Sequence, residues 1–456
     1  MVDAPTGSPD GAGGPDGGAV LAESRFAGVT AVKGLPARDG WLVLLETLQP
    51  EFFFTIPARS MVLLDERLDT VKTYEPLEGW TLIDAATHPS GDVSAVYVRV
   101  NQTGDPMELQ LSRYRTDGSR VDTEVTPVPP SDPNDPTVRL ILSYDRARVV
   151  AVGEDLYLAA RWAGNPVYAY HFTFGADGFR PEWATRVEPE AWLGVIGIIG
   201  GGFDNFHQGD NAIFVYLDVD GAGNAYVVAP STETVLPNHD AAFGENLSAG
   251  ADPAHFDFGT AILTKIDAGG SRVYASLLGT PGRGKSLLNM RAGNDSVFLV
   301  GRVKTGDAPD GWDAWMLSAN AGTGAVSFER TIDVEHGDMF WDVVALPGPQ
   351  LVAVGSTNYS QNPSGLSVSD ERDALAVVLD PAGGIVERLA MPHGDAGRGN
   401  EAISVQVAAD GRLVIAGMLD GPGTHAEVRS NGFLDVRPNV GSSPSTVLTR
   451  AASRSR

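Results

Sequence analysis

Along most of the chain, short stretches of alternating apolar and polar residues are separated by clusters of Gly, Asp and Asn. That is the pattern of strands joined by tight turns rather than of helices. One turn-and-strand unit recurs seven times: ARDGWLVLL ending at Leu45, PSGDVSAVYV at Val98, VGEDLYLAA at Ala160, GAGNAYVVA at Ala229, AGNDSVFLVG at Gly301, PGPQLVAVG at Gly355 and ADGRLVIAG at Gly417. Anchored on Trp41, Ala95, Leu156, Ala225, Val297, Leu351 and Leu413, successive units lie 54 to 72 residues apart.

Six of the units carry a second half, an alternating strand, a turn and another strand, as in TAILTKIDAGGSRVYASLLG from Thr260 and DALAVVLDPAGGIVERLAMP from Asp373. Apolar alternation flanking Asp-Gly or Gly-Gly is a hairpin signal. A leading strand before each first turn brings each of these units to four strands, the size of a propeller blade enlarged by insertions. The last unit is the exception, with three strands, the third falling in STVLTRAASRSR before Arg456. The missing fourth strand is at the other end, in AVLAESRFAG, Ala19 to Gly28. The pattern therefore predicts an all-β, seven-bladed β-propeller of four-stranded antiparallel blades, closed by an N-terminal strand that completes the last blade and removes both loose edges. A linear solenoid would need capping units, and none is visible.

The 456 residues carry 33 Lys and Arg against 58 Asp and Glu, a net charge of −25. That excess of acid argues against nucleic acid and anionic membrane partners and leaves protein, carbohydrate or small-molecule ligands. The absence of cysteine excludes disulfides, thiol catalysis and cysteine-based zinc sites. No run reaches the roughly 18 apolar residues of a transmembrane helix. Residues 1–18, rich in Gly, Pro and Asp, have too little to bury to offset ordering and read as a disordered tether before a propeller spanning 19–456. This tether resembles the segment behind the lipidated cysteine of bacterial lipoproteins, which implies an extracytoplasmic protein with a lipid anchor in its native form; an ordinary frayed terminus is the alternative.

The stretches DVDGAGNAYVVAPSTETVLP from Asp218, FGTAILTKIDAGGSRVYASLLGT from Phe258, AVVLDPAGG from Ala376 and EAISVQVAADGRLVIAG from Glu401 resemble the bacterial seven-bladed propeller repeats called SBBP repeats. The resemblance covers blades 4 to 7 and is weaker in blades 1 to 3. It implies a secreted, periplasmic or surface protein and carries over no catalytic residue.

Loops joining strands 2 and 3, and those joining one blade to the next, emerge on one face, where the long insertions fall: Pro230–Gly259, Ser356–Arg372 and Met418–Ser445. The same face takes His207, His239, His255, His336, His393 and His425, three of them followed by an acid: His207 with Asp210, His336 with Asp338 and His393 with Asp395. Imidazole with carboxylate is a donor set for a transition metal. The alternative is that Gly-Asp is a turn encoded by the repeat, its Asp bonding the loop backbone. For calcium, the loop at Asp218 has Ala222 and Ala229 where oxygen ligands are needed and reads as a hairpin turn; Asp307, Asp310 and Asp313 form a better cluster, although a solvated acidic loop is the favoured reading of it. Two apolar loop segments, Ala191–Phe203 and Phe52 to Phe54, are expected to fold inward. GRGKS around Lys285 lacks the phosphate-loop frame and no GxSxG occurs, so the expected role is binding through the loop face; the competing class is a metal-dependent hydrolase or lyase.

Overall fold

The computed structural model describes residues 21–47, 58–100, 106–125, 147–161, 167–187, 215–231, 260–278, 285–293, 295–305, 311–358, 372–394, 399–421 and 431–438. They form seven four-stranded antiparallel sheets and no helix. Blade 1 is built from Thr30–Ala37, Gly40–Thr47, Ala58–Asp65 and Thr70–Tyr74, and blade 2 from Thr81–Thr87, Val93–Val100, Pro106–Tyr114 and Arg120–Val125. Blade 3 takes Ala147–Val152, Asp155–Arg161, Val167–Gly175 and Gly178–Arg186, and blade 4 Tyr216–Val219, Ala225–Ser231, Thr260–Ile266 and Arg272–Leu278. Blade 5 takes Lys285–Ala292, Ser296–Lys304, Trp312–Asn320 and Val326–Ile332, and blade 6 Met339–Ala345, Leu351–Thr357, Asp373–Leu379 and Ile385–Arg388.

Blade 7 combines Gly399–Val407, Leu413–Gly421 and Asn431–Arg437 with the N-terminal strand Ala22–Ala27, whose Ser24 lies opposite Leu434 and whose Phe26 lies opposite Gly432. The closure expected from strand counting is therefore present. Its third strand, however, is Asn431–Arg437, not STVLTRAASRSR, which lies outside the described residues. The physical reason is burial: Phe433, Leu434 and Val436 fill the core there, and Gly432 is crowded enough by blade 1 that a Cβ would come 2.8 Å from Ala31 N. The tether, the segments Phe52–Phe54 and Ala191–Phe203, and Asp307 and Asp310 also lie outside the described residues.

The core is divided by seam. Apolar side chains of blades 1 and 2 form one cluster, those of 2 and 3 another, and so on through 6 and 7 to the cluster of Phe26, Trp41, Val43, Leu64, Val414 and Leu434 that joins blade 7 to blade 1. Inner strands are buried on both faces, as in Leu351–Thr357, while the outermost strand of the same blade, Ile385–Arg388, is exposed throughout. That gradient explains why second strands read as nearly continuous apolar runs and fourth strands as mixed ones.

The first strand carries a bulge in blades 1, 2, 5, 6 and 7, for instance between Phe340 and Asp342 and between Ala402 and Ser404. The bulge brings its backbone over the second strand, so a Cβ at Gly355 would lie 1.8 Å from Met339 O and one at Gly417 2.0 Å from Glu401 O. The glycine that closes the recurring VAVG and VIAG runs is thus required by the bulge beside it.

Candidate functional site

The first strands also put charge along the innermost edge of the ring. In blades 2, 4 and 6 a carboxylate reaches across to the next blade's first strand: Asp84 accepts from Val149 N at 3.1 Å, Asp218 from Ala292 N at 2.9 Å and Asp342 from Val405 N at 3.0 Å. Each also accepts from the N–H of its own following residue. Cations answer two of them, Lys33 at 2.7 Å from Asp84 and Arg291 at 2.9 Å from Asp342. Burial holds the Lys33 ammonium below the usual lysine range against the pull of Asp84. These groups satisfy edge N–H groups that no strand pairs, and they stitch blades together.

The two faces of the ring differ. On one, the turns between strands 1 and 2 and between strands 3 and 4 are closed by their own side chains. Asp65 accepts from the N–H groups of Arg67 and Asp69, Asp220 from those of Ala222 and Asn224, Asp267 from those of Gly269 and Ser271, and Asp380 from those of Ala382 and Gly384. The fourth residue of each turn has positive φ and is Gly223, Gly270 or Gly383, with Leu68 as the exception in blade 1. The Asp218 segment is accordingly a hairpin, as its spacing predicts.

On the other face, the connection from blade 5 to blade 6 holds two of the residues singled out in sequence, His336 and Asp338. They point different ways. His336 is exposed and its carbonyl accepts Asn358 N–H at 2.6 Å, whereas Asp338 is wholly buried. Between them Gly337 has φ of 62°, which turns the chain inward. Asp338 N–H donates to Trp312 O at 2.7 Å, and its Oδ2 accepts from Val334 N at 2.6 Å and Glu335 N at 2.9 Å. Its Oδ1 is buried without a partner in the protein. Burial raises the Asp338 carboxyl above the usual range and the nearby Asp333 and Asp313 raise it further, against the two loop N–H groups.

One carboxylate oxygen each of Asp313, Asp333 and Asp338 lies within 4.8 Å of the other two. This trio joins one residue of the predicted His/Asp set to one of the predicted calcium cluster and adds Asp333, which sequence reasoning missed. Among the described residues it is the one group of three or more side chains able to ligate a metal, and neither His336 nor the exposed His393 belongs to it. His207, Asp210 and Asp395 lie outside the described residues.

One blade further on, the same backbone device recurs: Asn400 N–H donates to Arg372 O at 2.7 Å, as Asp338 does to Trp312. Here the adjoining residue is Glu401, buried and paired with Arg372. Burial raises its carboxyl, with Arg372 and Arg302 pulling it back down. Arg302 lies over the Trp312 ring at 4.4 Å, and Trp312 packs with Leu288, Met339 and Trp341 into an apolar patch at this end of the seam. The buried polar atoms without a protein partner in this region include Trp341 Nε1, Ser356 Oγ, Arg372 Nε and Asp338 Oδ1; others, such as Trp41 Nε1, Gln406 Nε2 and Arg437 Nη1, lie elsewhere in the ring. A glutamate inside the alternation of NEAISVQV was the available sequence signal for Glu401; Arg372 and Trp341 gave none.

No family model matches the chain, and neither does any curated protein. Solved structures similar to it include a streptogramin B lyase at 10% identity and TM-score 0.45, covering 92% of this chain and 99% of that one. A catalytically inactive virginiamycin B lyase from Staphylococcus aureus with quinupristin has 10% identity and TM-score 0.47 over 91% and 99%. YCF48 bound to a D1 peptide has 8% identity and TM-score 0.44 over 93% and 99%. None of these likenesses carries a ligand or an activity over to this chain. The strand order and the seven seams define it as a seven-bladed β-propeller.

Proposed function

We propose that the chain is a binding propeller that takes its ligand on the loop face, over the seams joining blades 5, 6 and 7. The observation that carries this reading is the coincidence there of buried polar atoms with unmet hydrogen-bond capacity, Trp341 Nε1, Ser356 Oγ, Arg372 Nε and Asp338 Oδ1, with an apolar patch containing Trp312 and Trp341. Buried polar groups are normally bonded, and unbonded ones set beside an apolar aromatic surface suit an external partner. The excess of acid favours a neutral or cationic ligand, a carbohydrate, a small molecule or a basic protein segment. An extracytoplasmic location, a lipid-anchored native N-terminus and SBBP-like repeats belong to the same proposal and rest on the sequence motifs.

The test is a binding screen of the full chain against arrays of neutral and amine-bearing oligosaccharides and basic peptides. A hit should bind about fivefold more weakly to Trp341→Phe, which keeps an aromatic ring and removes the N–H, since one hydrogen bond is worth about 1 kcal/mol. It should bind unchanged to Asp117→Asn on the opposite face. The reverse ranking of the two variants overturns the reading.

A further inference from the structure

The geometry points to a hard divalent cation, calcium above all, bound by Asp313, Asp333 and Asp338 at the seam between blades 5 and 6. The three residues come from separate places in the fold. Asp313 is the second residue of blade 5's third strand, Asp333 follows directly on its fourth, and Asp338 precedes the first strand of blade 6. Asp313 and Asp333 meet across blade 5's strand 3–4 hairpin, one position beyond the Ala314–Ile332 pair, and the inter-blade loop brings Asp338 to them, so that one oxygen of each lies within 4.8 Å of the others.

Proximity of acids alone would mean little. The independent observation is the state of Asp338, which has no exposed surface and an Oδ1 that accepts nothing from the protein. The Oδ2 of the same carboxylate is taken up by Val334 N and Glu335 N, so the group is oriented and only its second oxygen is available. A buried carboxylate oxygen left bare beside two more carboxylates is costly unless a cation answers it. Ser356, which lies opposite Met339 in the ladder and so one position from Asp338, also has a buried hydroxyl without a partner.

The donor set selects the ion. It is all oxygen, which suits calcium, magnesium or manganese and not the softer metals that imidazole or thiolate would hold. The oxygens lie within 4.8 Å of one another, near enough to share one cation; calcium accepts such an irregular oxygen set, whereas magnesium demands a near-ideal octahedron and keeps several waters. The exposure of Asp333 gives the ion a path in, and the half-buried Asp313 completes the wall.

The site shares Asp338 with the surface proposed above but does not depend on that reading, and its test uses no ligand. Metal-stripped full-length protein is titrated with calcium chloride by calorimetry, and its melting temperature is followed at each concentration. One equivalent should bind, with a saturable rise in melting temperature as linkage requires. Asp333→Asn, an exposed position that leaves folding intact, should weaken calcium binding roughly tenfold, because affinity follows the number of ligand charges. Asp338→Asn should melt at a temperature indifferent to calcium. If millimolar calcium gives neither heat nor a melting shift, or if Asp333→Asn and Asp313→Asn bind it like the parent, the proposal is overturned. Stoichiometric zinc without calcium, lost in His336→Ala, would also overturn it in favour of the histidine set.

Discussion

Aspartate does opposite work on the two faces of the ring. In the turns, Asp267 gathers two backbone N–H groups of its own loop and Asp220 gathers two more with an Asn224 side chain, so each charge is spent where it stands. At the seam between blades 5 and 6, Asp338 has the same kind of loop contact on one oxygen and nothing on the other, with two further carboxylates beside it. The difference lies in geometry, not residue type. A five-residue hairpin turn curls its N–H groups toward its first side chain, whereas a connection crossing from one blade to the next brings together side chains that share no turn. In the turns the aspartates support the fold, whereas at the seam between blades 5 and 6 Asp338 keeps one oxygen in reserve.

The largest test of this contrast is at Arg113, buried on the turn face between blades 2 and 3. It bonds Asp92 at 3.0 Å, the Glu154 carbonyl at 3.1 Å, Ser90 Oγ at 3.2 Å and the Glu154 carboxylate, and lies over the Phe174 ring. Arg113→Met strips Asp92 of its cation and should cost about 3–5 kcal/mol in urea denaturation, the usual penalty for removing one partner of a buried pair. Equal losses in Arg113→Met and in Asp338→Asn of the calcium-free protein would erase the distinction between the faces.

A smaller effect is expected from pH, through His88 on the same face. The Gly153 carbonyl, 3.0 Å from Nδ1, can only accept, so Nδ1 carries the proton and Nε2 accepts from Ser94 Oγ at 2.7 Å. Burial first, then Arg113, lowers the imidazole to about 4. The folded value lies below the unfolded one of roughly 6.5, so the unfolded chain binds the extra proton between them. Stability from this group is complete above about pH 6.5 and is lost as pH falls through about 4, a change of about 3 kcal/mol. Melting temperature against pH should show that slope in the parent, and His88→Gln should remove it.

The same contrast decides what could be read in the sequence. Blades were legible because alternation and the Asp-x-x-Gly turn are local signals, and the closure followed from an unpaired strand at each end. The third strand of blade 7 was not, because STVLTR alternates as well as NGFLDVR does and only packing of Phe433 and Leu434 against blades 1 and 6 discriminates them. The site was half legible. His336 and Asp338, two apart, would share a face in a strand, but the positive φ of Gly337 sends one outward and the other inward. Asp333 joined Asp338 through a loop, and Asp313 through the register of blade 5's last hairpin, relations that the spacing of acids along the sequence does not show.

The mildest test is at Asp267, whose carboxylate takes Gly269 N at 3.0 Å and Ser271 N at 2.8 Å at the surface of blade 4. Asp267→Ala leaves the backbone bonds of the turn in place, since Asp267 N–H still reaches Ser271 O and Gly270 N–H still reaches Asp267 O. Only the side-chain bonds are lost, and water can replace them at the two N–H groups. The expected loss is about 1 kcal/mol, as for a helix cap. Gly270→Ala in the same turn should cost more, because its φ of +86° disfavours a side chain and the new Cβ would lie 2.6 Å from the Trp183 ring. If Asp267→Ala proved the more damaging of the two, side-chain closure rather than backbone conformation would be what holds the turns, and the self-sufficiency of that face would rest on its aspartates alone.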